Sequence, residues 1–333
     1  MVRIAQLFSG TGNSPVLRFT LTRLVAGVVS VLAVSLLVFL GTAMLPGDAA
    51  TAMLGQYATK ESVAALQKSL GLDLPLHMRY LNWLGHALTG DLGSSLSNGQ
   101  PVASLIASRF VNSLILACTA AAVTLPISIA VGILAAAYKG SWFDSLISVI
   151  SSALQSMPSF LIGYMLVFVF AVALGWFPPL SSVRPNASLW NWIQILSLPV
   201  LTLFFVAQAH VLRLTRAAVL NTLSTDYVQM ARIKGIPGRS VFVKHALPNA
   251  LSPIVSISMI TIAHMIVDVV VIETVFNYPG MGKLMVDAVA YRDIPMVQAC
   301  AVLFSIVFIG LNLIADVLAM AVNPRQRLPR QAG

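Results

Sequence analysis

Two ionisable side chains, His264 and Asp268, interrupt a long apolar stretch that runs from Leu247 to Ile272. Residues four apart share one face of an α-helix, so the two are predicted to be neighbours. An imidazole beside a carboxylate can relay protons or bind a cationic group. An acid deep in a bilayer costs roughly 2.5 to 3.5 kcal/mol on insertion scales, so it should face the bundle interior or water. Either Asp268 lines a substrate path and meets an amino group of the substrate, or the two side chains pair with each other and hold helices together.

The rest of the sequence lacks the motifs of an enzyme. The segment PGMGK, from Pro279 to Lys283, is not a phosphate-binding loop, because Asn277 and Leu284 occupy positions where that loop needs Gly and Ser or Thr. No HExxH pair, GxSxG elbow or Cys/His metal spacing occurs. Cys118 and Cys300 lie within apolar runs and are predicted to be small core residues. We therefore predict no catalytic residue, metal site or cofactor in this chain.

The composition is that of an integral membrane protein. Hydrophobic residues make up 58% of the 333 residues and charged residues only 9%, whereas soluble domains are about 25% charged. Because a span needs about 20 apolar residues, the sequence predicts an all-α membrane protein with six transmembrane helices, two of them bent at Pro126 and Pro158. The predicted spans are Leu24 to Leu45, Phe110 to Tyr138, Ser145 to Phe177, Trp190 to Leu212, Leu247 to Ile272 and Pro295 to Ala321.

These spans divide the chain into five parts. We predict a cytoplasmic segment 1–23, a first transmembrane helix 24–45, an external loop 46–105, a transmembrane core of five helices 106–322, and a cytoplasmic tail 323–333. The first apolar run could also be a cleaved signal peptide, but its length favours an uncleaved span. The external loop carries two amphipathic helix patterns, one after Thr59 that stops at Gly71 and one from Pro75 that ends before Gly90.

A second polar segment, Ser224 to Pro248, lies between apolar runs and is called here the 224–248 loop. Ser224 or Thr225 can cap a short helix, and Gly235 followed by Pro237 should end it. Ala231 and Gly235 are four apart, so we expect one face without bulky side chains that fits a groove on another protein. An ordinary interhelical loop with membrane-orienting charge is the alternative.

The distribution of charge orients the spans. With the N-terminus inside, the segments on the inner side hold 13 of the 20 basic residues, and seven of the 11 acidic residues lie on the outer side. The bias predicts that the 224–248 loop and both termini are cytoplasmic. The 13 residues are Arg3, Arg18, Arg23, Lys139, Arg213, Arg216, Arg232, Lys234, Arg239, Lys244, Arg325, Arg327 and Arg330.

The 224–248 loop resembles the EAA loop of ABC-importer membrane subunits. In this chain the matching positions are Ala231, Gly235 after three residues, His245 after nine more, and Leu247 with Pro248 after one more. Gln229 and Met230 replace the Glu-Ala of the general form, and His245 replaces Ile. These departures, with the strings DYVxxARxKG and KHALPNAL, resemble the dipeptide/oligopeptide/nickel permease branch. Other segments that resemble this branch are 46–48, 70–95, 100–102, 156–178 and 273–284.

The resemblance covers about Arg18 to Leu328 and implies the type I ABC-importer permease fold with cytoplasmic coupling helices. It implies that the 224–248 loop seats in an ATPase subunit, through Asp226, Tyr227, Ala231, Arg232, Lys234, Gly235, His245, Leu247 and Pro248. The implied partners are a second related permease subunit, an extracytoplasmic solute-binding protein, and two ATPase subunits, or one with two ATPase domains, that bind ATP and Mg²⁺. No nucleic acid is expected.

On this basis the chain is expected to form half of a pathway for di- or oligopeptides, or for nickel or glutathione, across a bacterial inner membrane by alternating access. Glu273 is expected at the outer mouth of the substrate path that includes His264 and Asp268, and Asn312 with Asp316 to be structural. The alternative is an ion-coupled secondary transporter that uses His264 and Asp268 as a proton relay. That class often has repeated halves, which the sequence does not show. A membrane enzyme is disfavoured by the missing motifs.

Overall fold

The computed structural model describes residues 15–44, 59–69, 73–182 and 188–322, and the regular elements of those residues are helices. The predicted features at Pro46 to Asp48, Gly71, 1–14 and 323–333 lie outside the described residues. The helices are α1 Pro15–Ala43, α2 Lys60–Ser69, α3 Leu76–Leu88, α4 Val102–Ala137, α5 Trp142–Gln155, α6 Ser159–Leu166, α7 Leu189–Leu223, α8 Asp226–Ile233, α9 Leu247–Val275, α10 Met281–Ala290 and α11 Ile294–Val322.

Two π-helical segments extend this series. Val167–Ala173 continues α6, and Val241–Ala246 joins the short turn Gly238–Ser240 to α9. The two amphipathic helices predicted in the external loop are present as α2 and α3.

Among the described residues, five helices are long and apolar enough to cross a membrane, and a bent helix pair gives a sixth span if it is counted as one. The all-α membrane architecture predicted from the sequence is therefore confirmed for these residues. The five are Phe19–Ala43, Val102–Ala137, Leu189–Leu223, Gly238–Val275 and Ile294–Leu318.

The third predicted span, Ser145 to Phe177, is not one gently bent helix. It breaks into α5 and the Ser159–Ala173 helix, whose axes differ by 106°. Pro158 is extended at φ −60° and ψ 141° and caps α6, because proline lacks an N–H and disfavours the α conformation of the residue before it. With this angle between them, the two helices form either a broken span or a re-entrant loop.

One compact unit contains Leu114–Tyr278 with Met1–Gly27 and Phe308–Gly333. Its core includes the fully buried side chains of Leu203, Ile272 and Phe276. The closest helix approach that we identify in it is at Gly132 of α4, where a Cβ atom would lie 2.8 Å from the Leu212 carbonyl oxygen of α7. Only glycine fits this contact without a shift of the two backbones.

The second compact unit contains Val28–Ser113 and Pro279–Val307. A loop closes on the buried carboxylate of Asp293, which precedes α11. Asp293 accepts hydrogen bonds from the Ser95 and Ser97 hydroxyls and from backbone N–H groups, including that of Leu96 at 3.1 Å. It also accepts from the N–H of Met296 in the first turn of α11. A single carboxylate therefore fixes both the loop and the helix start.

The helix α3 lies on α1 through aromatic contacts within the second unit. The rings of Tyr80 and Phe39 meet edge-on with centroids 5.4 Å apart, and Trp83 packs beside both. The Tyr80 hydroxyl and the Ser35 hydroxyl are 2.9 Å apart. These contacts hold α3 against the C-terminal half of α1.

We expect Asp293→Asn to destabilise the protein, because the amide NH₂ would oppose the N–H donors that converge on this position. The expected loss is about 2 kcal/mol of the free energy of unfolding. Asp287→Asn is the matched control, since the ion pair of Asp287 with Lys283 is partly exposed and should contribute less than about 1 kcal/mol. Thermal unfolding of the purified full chain in detergent would measure both, and equal shifts in the midpoint would contradict the prediction.

Candidate functional site

The 224–248 loop folds into α8, a turn at Gly235, and the π-helical segment that leads into α9. Thr225 occupies the N-cap position, but its hydroxyl donates to the Thr222 carbonyl at 2.6 Å instead of capping α8. The predicted stop is confirmed, because Gly235 has φ +76°. The N–H of Ile236 donates to the Ala231 carbonyl across this turn at 3.3 Å.

The predicted small-residue face is exposed at only one of its two positions. Ala231 is buried in a cluster with Val228 and Val241, whereas Gly235 is exposed but lies beyond the end of α8. The physical reason is that a short amphipathic helix gains stability by burying its apolar stripe against its own protein. The prediction of an exposed position was therefore wrong for Ala231.

A different face of α8 points outward, and we call it the α8 ridge: Tyr227, Met230 and Ile233. Their side chains are 42%, 53% and 77% exposed, and their three-residue spacing places them along one side of the helix. Asp226, Arg232 and Lys234 surround them and are exposed. A contiguous apolar surface with a charged border is typical of a protein-docking site. The sequence contained this signal in the three-residue spacing, but our sequence analysis did not use it.

The helix α8, which carries the ridge, is held by contacts with two of the long helices. Leu223, at the end of α7, packs against the Val228, Ala231 and Val241 cluster. The Tyr227 hydroxyl donates to the His245 carbonyl at 3.1 Å, and the Asn249 amide donates to the same oxygen at 2.8 Å. Through these contacts α8 is connected to both α7 and α9. The helix α9 begins at Leu247 and Pro248.

An ion pair that sequence reasoning missed ties α5 to α7. Arg216 donates to Asp144 through two nitrogens, at 2.6 and 2.8 Å, and the carboxylate is only 6% exposed. The Gly140 N–H also donates to Asp144, at 3.0 Å. The Arg216 hydrogen bond holds the pKa of Asp144 below its usual value. From the sequence, Arg216 was interpreted only as an orienting charge.

The polar residues predicted in the fifth long span lie on α9 as expected. His264 is exposed and Asp268 half-buried, and among the described residues no hydrogen bond or ion pair joins the two. The His264 ring meets the Phe308 ring edge-on, with centroids 6.2 Å apart. His210 and Arg213 lie on α7, which packs along α9. The two packed helices therefore carry four ionisable residues, called here the polar cluster: His210, Arg213, His264 and Asp268.

Glu273 does not lie on an open path. Its side chain is fully buried and its carbonyl accepts from the Tyr278 N–H at 2.9 Å. Burial raises the pKa of the Tyr278 hydroxyl, and the nearby Glu273 charge raises it further. The expectation that Glu273 lines the substrate path is corrected, because a carboxylate with no exposed surface cannot contact a substrate. No group of three or more His, Cys, Asp or Glu side chains that could hold a metal occurs in the described ranges.

Comparisons with known proteins cover most of the chain. Residues 128–328 match the family described as binding-protein-dependent transport system inner membrane component, and residues 16–117 match its N-terminal component. The glutathione transport system permease protein GsiC of Escherichia coli strain K12 is 39% identical over 311 residues, which are 93% of this chain and 99% of the relative. The protein of the same name from Salmonella typhimurium is 38% identical over the same share.

Removal of one partner of the Asp144–Arg216 pair should be strongly destabilising. We expect Asp144→Asn to cost about 3 kcal/mol of the free energy of unfolding, because it leaves a partly buried guanidinium without its counter-charge. The double variant Asp144→Leu with Arg216→Met should recover most of this loss. Asp316→Asn is the control, since its ion pair with Arg23 is exposed. If chemical denaturation shows the single and double variants to be equally unstable, the ion pair is not the cause.

Proposed function

Because the chain belongs to the family of binding-protein-dependent transport system inner membrane components, we propose that it forms one half of a path for small peptides of the glutathione class. The chain is a multi-pass inner membrane protein and the permease subunit of an ATP-driven ABC importer, and it acts with ATPase and solute-binding partners. The finer assembly that we propose has a second related permease subunit, one solute-binding protein, and two ATPase subunits or domains that bind ATP and Mg²⁺.

The exposed α8 ridge is the observation that supports the coupling role. An apolar ridge left open by a single chain needs a partner surface to cover it, and ATPase subunits supply energy that this chain has no visible motif to supply. We propose that Tyr227, Met230 and Ile233 enter a groove of an ATPase subunit. Asp226, Arg232 and Lys234 would form the polar border of that contact, while Ala231, Gly235, His245, Leu247 and Pro248 shape the loop that presents it.

The contacts of α8 suggest how ATP-driven closure reaches the transport path. The Val228, Ala231 and Val241 cluster and the Tyr227–His245 hydrogen bond connect the ridge to α7 and α9. Both helices carry members of the polar cluster, and His264 lies 17 residues, about 26 Å, beyond the start of α9. A tilt of α7 and α9 would therefore change the access of substrate to the polar cluster, as alternating access requires.

The polar cluster supports a peptide substrate. Glutathione and other short peptides carry carboxylates and an amino group, and the cluster offers imidazole and guanidinium groups for the first and the Asp268 carboxylate for the second. His264 and Asp268 make no mutual hydrogen bond or ion pair among the described residues, which leaves both available to a substrate. The glutathione transport permeases that resemble the chain favour the same substrate class.

We further propose that both termini are cytoplasmic. The Arg23–Asp316 ion pair, at 3.2 Å, brings the start of α1 to the last turns of α11, which supports termini on one side of the membrane. The excess of basic residues in the segments on that side supports the cytoplasm. This orientation would place α8 on the side where ATP is available.

Docking of the α8 ridge can be tested with Ile233→Asp. A charge buried in an apolar contact should weaken ATPase binding by about 30-fold or more. Asn221→Asp adds the same charge at an exposed position near the end of α7, outside the ridge, and should bind normally. The measurements are co-purification of the ATPase subunits and substrate-dependent ATP hydrolysis in proteoliposomes. Normal coupling in Ile233→Asp would contradict the proposal, as would uptake by the chain alone under a pH gradient.

Contact between Asp268 and the substrate amino group can be tested with Asp268→Asn. We expect uptake of peptides with a free amino terminus to fall about tenfold, the effect of losing roughly 1.4 kcal/mol, while uptake of the N-acetylated forms changes little. An equal loss for both sets would instead assign Asp268 a structural role. Asp316→Asn serves as the control for a carboxylate lost elsewhere in the bundle.

A further inference from the structure

A cavity of ≈ 1050 Å³ lies beside α8 and is called here the basic cavity. The last turn of α4 with Lys139, the end of α7, α8 and the segment from Gly238 to Val243 line it. All of these elements belong to the Leu114–Tyr278 unit. The cavity is distinct from the α8 ridge, because Tyr227, Met230 and Ile233 do not line it.

The lining of the basic cavity has one sign of charge. Lys139, Arg232 and Arg239 contribute three cations, and no acidic residue lines the cavity. None of the three takes part in an ion pair within the described ranges. The nearby acid, Asp144, is already paired with Arg216 at 2.6 Å. Three convergent cations without a counter-charge favour an anionic ligand.

The other lining groups indicate the depth of the cavity in the membrane. Its apolar wall includes Leu134 of α4 and Leu220 of α7, while Ser224 and Gln229 add polar groups. Tyr138 lines the cavity and Trp142 follows it in the chain, and both are exposed at the end of the α4 span. Exposed Tyr and Trp at the end of a span are typical of the headgroup region of a bilayer. The cavity therefore combines cations and an apolar wall at the level where lipid phosphates lie.

We propose that the basic cavity binds the headgroup of an anionic phospholipid. Lys139, Arg232 and Arg239 would contact the phosphate, and Leu134 and Leu220 the glycerol and the start of the acyl chains. Basic pockets between transmembrane helices recognise anionic lipids in this way. The terminal segments 1–14 and 323–333 are poor alternative occupants, because their only charged side chains are the basic Arg3, Arg325, Arg327 and Arg330.

A lipid in the basic cavity would act on α8. Arg232 and Gln229 project from α8 into the cavity, so a bound headgroup would brace the helix that carries the ridge. The presence of anionic lipid would then influence the position of α8 before any partner binds. The lipid proposal rests on the basic cavity alone, so it holds even if the α8 ridge binds a different partner.

The test compares wild type with Lys139→Gln and Arg239→Gln, singly and together, in nanodiscs of phosphatidylcholine mixed with phosphatidylglycerol. Native mass spectrometry of the full chain with its co-purified subunits counts the retained phosphatidylglycerol. We expect enrichment over the bulk lipid in wild type and a loss of about fivefold for each neutralised side chain. Lys244→Gln is the matched control, since Lys244 is exposed on the same loop but does not line the cavity.

Four outcomes would overturn the proposal. They are no enrichment in wild type, an equal loss in Lys244→Gln, displacement of the lipid by inorganic phosphate alone, and photocrosslinks from position 224 that reach only an ATPase subunit. The first three would show respectively no site, a diffuse charge effect, and a site for free phosphate. The fourth would show that a protein fills the cavity. Thermal unfolding of each variant separates lipid loss from misfolding.

Discussion

The structure depends on the burial of one short apolar stripe. The helix α8 has eight residues, too few for stability as an isolated helix in water. It is held because Val228 and Ala231 pack against Val241 and the end of α7. The same packing forces the opposite stripe outward, so the α8 ridge is a geometric consequence of the buried one. Coupling of the ATPase subunits to the transmembrane helices would then require no conformational change within the 224–248 loop. The loop would need only to transmit the movement of its partner to α7 and α9.

Much of the architecture could be predicted from sequence, because a membrane span has a strong signal. The bounds of α4 and α7 were less accurate: α4 begins at Val102 and α7 continues to Leu223, whereas the predicted spans began at Phe110 and ended at Leu212. Arg109 and Arg213 border the predicted apolar runs, yet an arginine does not end a helix. Hydropathy identifies the part of a helix that is apolar enough to lie in lipid. It does not show how far the helix continues beyond the lipid.

The errors at the candidate sites have a common cause. Spacing shows which residues share a helix face, but it does not show which face the rest of the chain covers. Ala231 and Glu273 were therefore assigned outward roles, and both are buried. The Asp144–Arg216 pair joins residues 72 positions apart, a distance at which a single sequence carries no pairing information. The sharp break at Pro158 could be predicted only in part. The proline indicated a bend, but the angle of the bend depends on packing.

The contact at Gly132 limits how these helices can move. With no side chain between them, the backbones of α4 and α7 already touch at Leu212, so α7 cannot come closer to α4 there. A tilt of α7 that keeps this contact would therefore pivot about Leu212. Leu212 lies 11 residues from the end of α7, about 16 Å along the axis. A displacement of that end by α8 would swing the opposite arm of α7 the other way, which converts a push at one membrane surface into an opening toward the other.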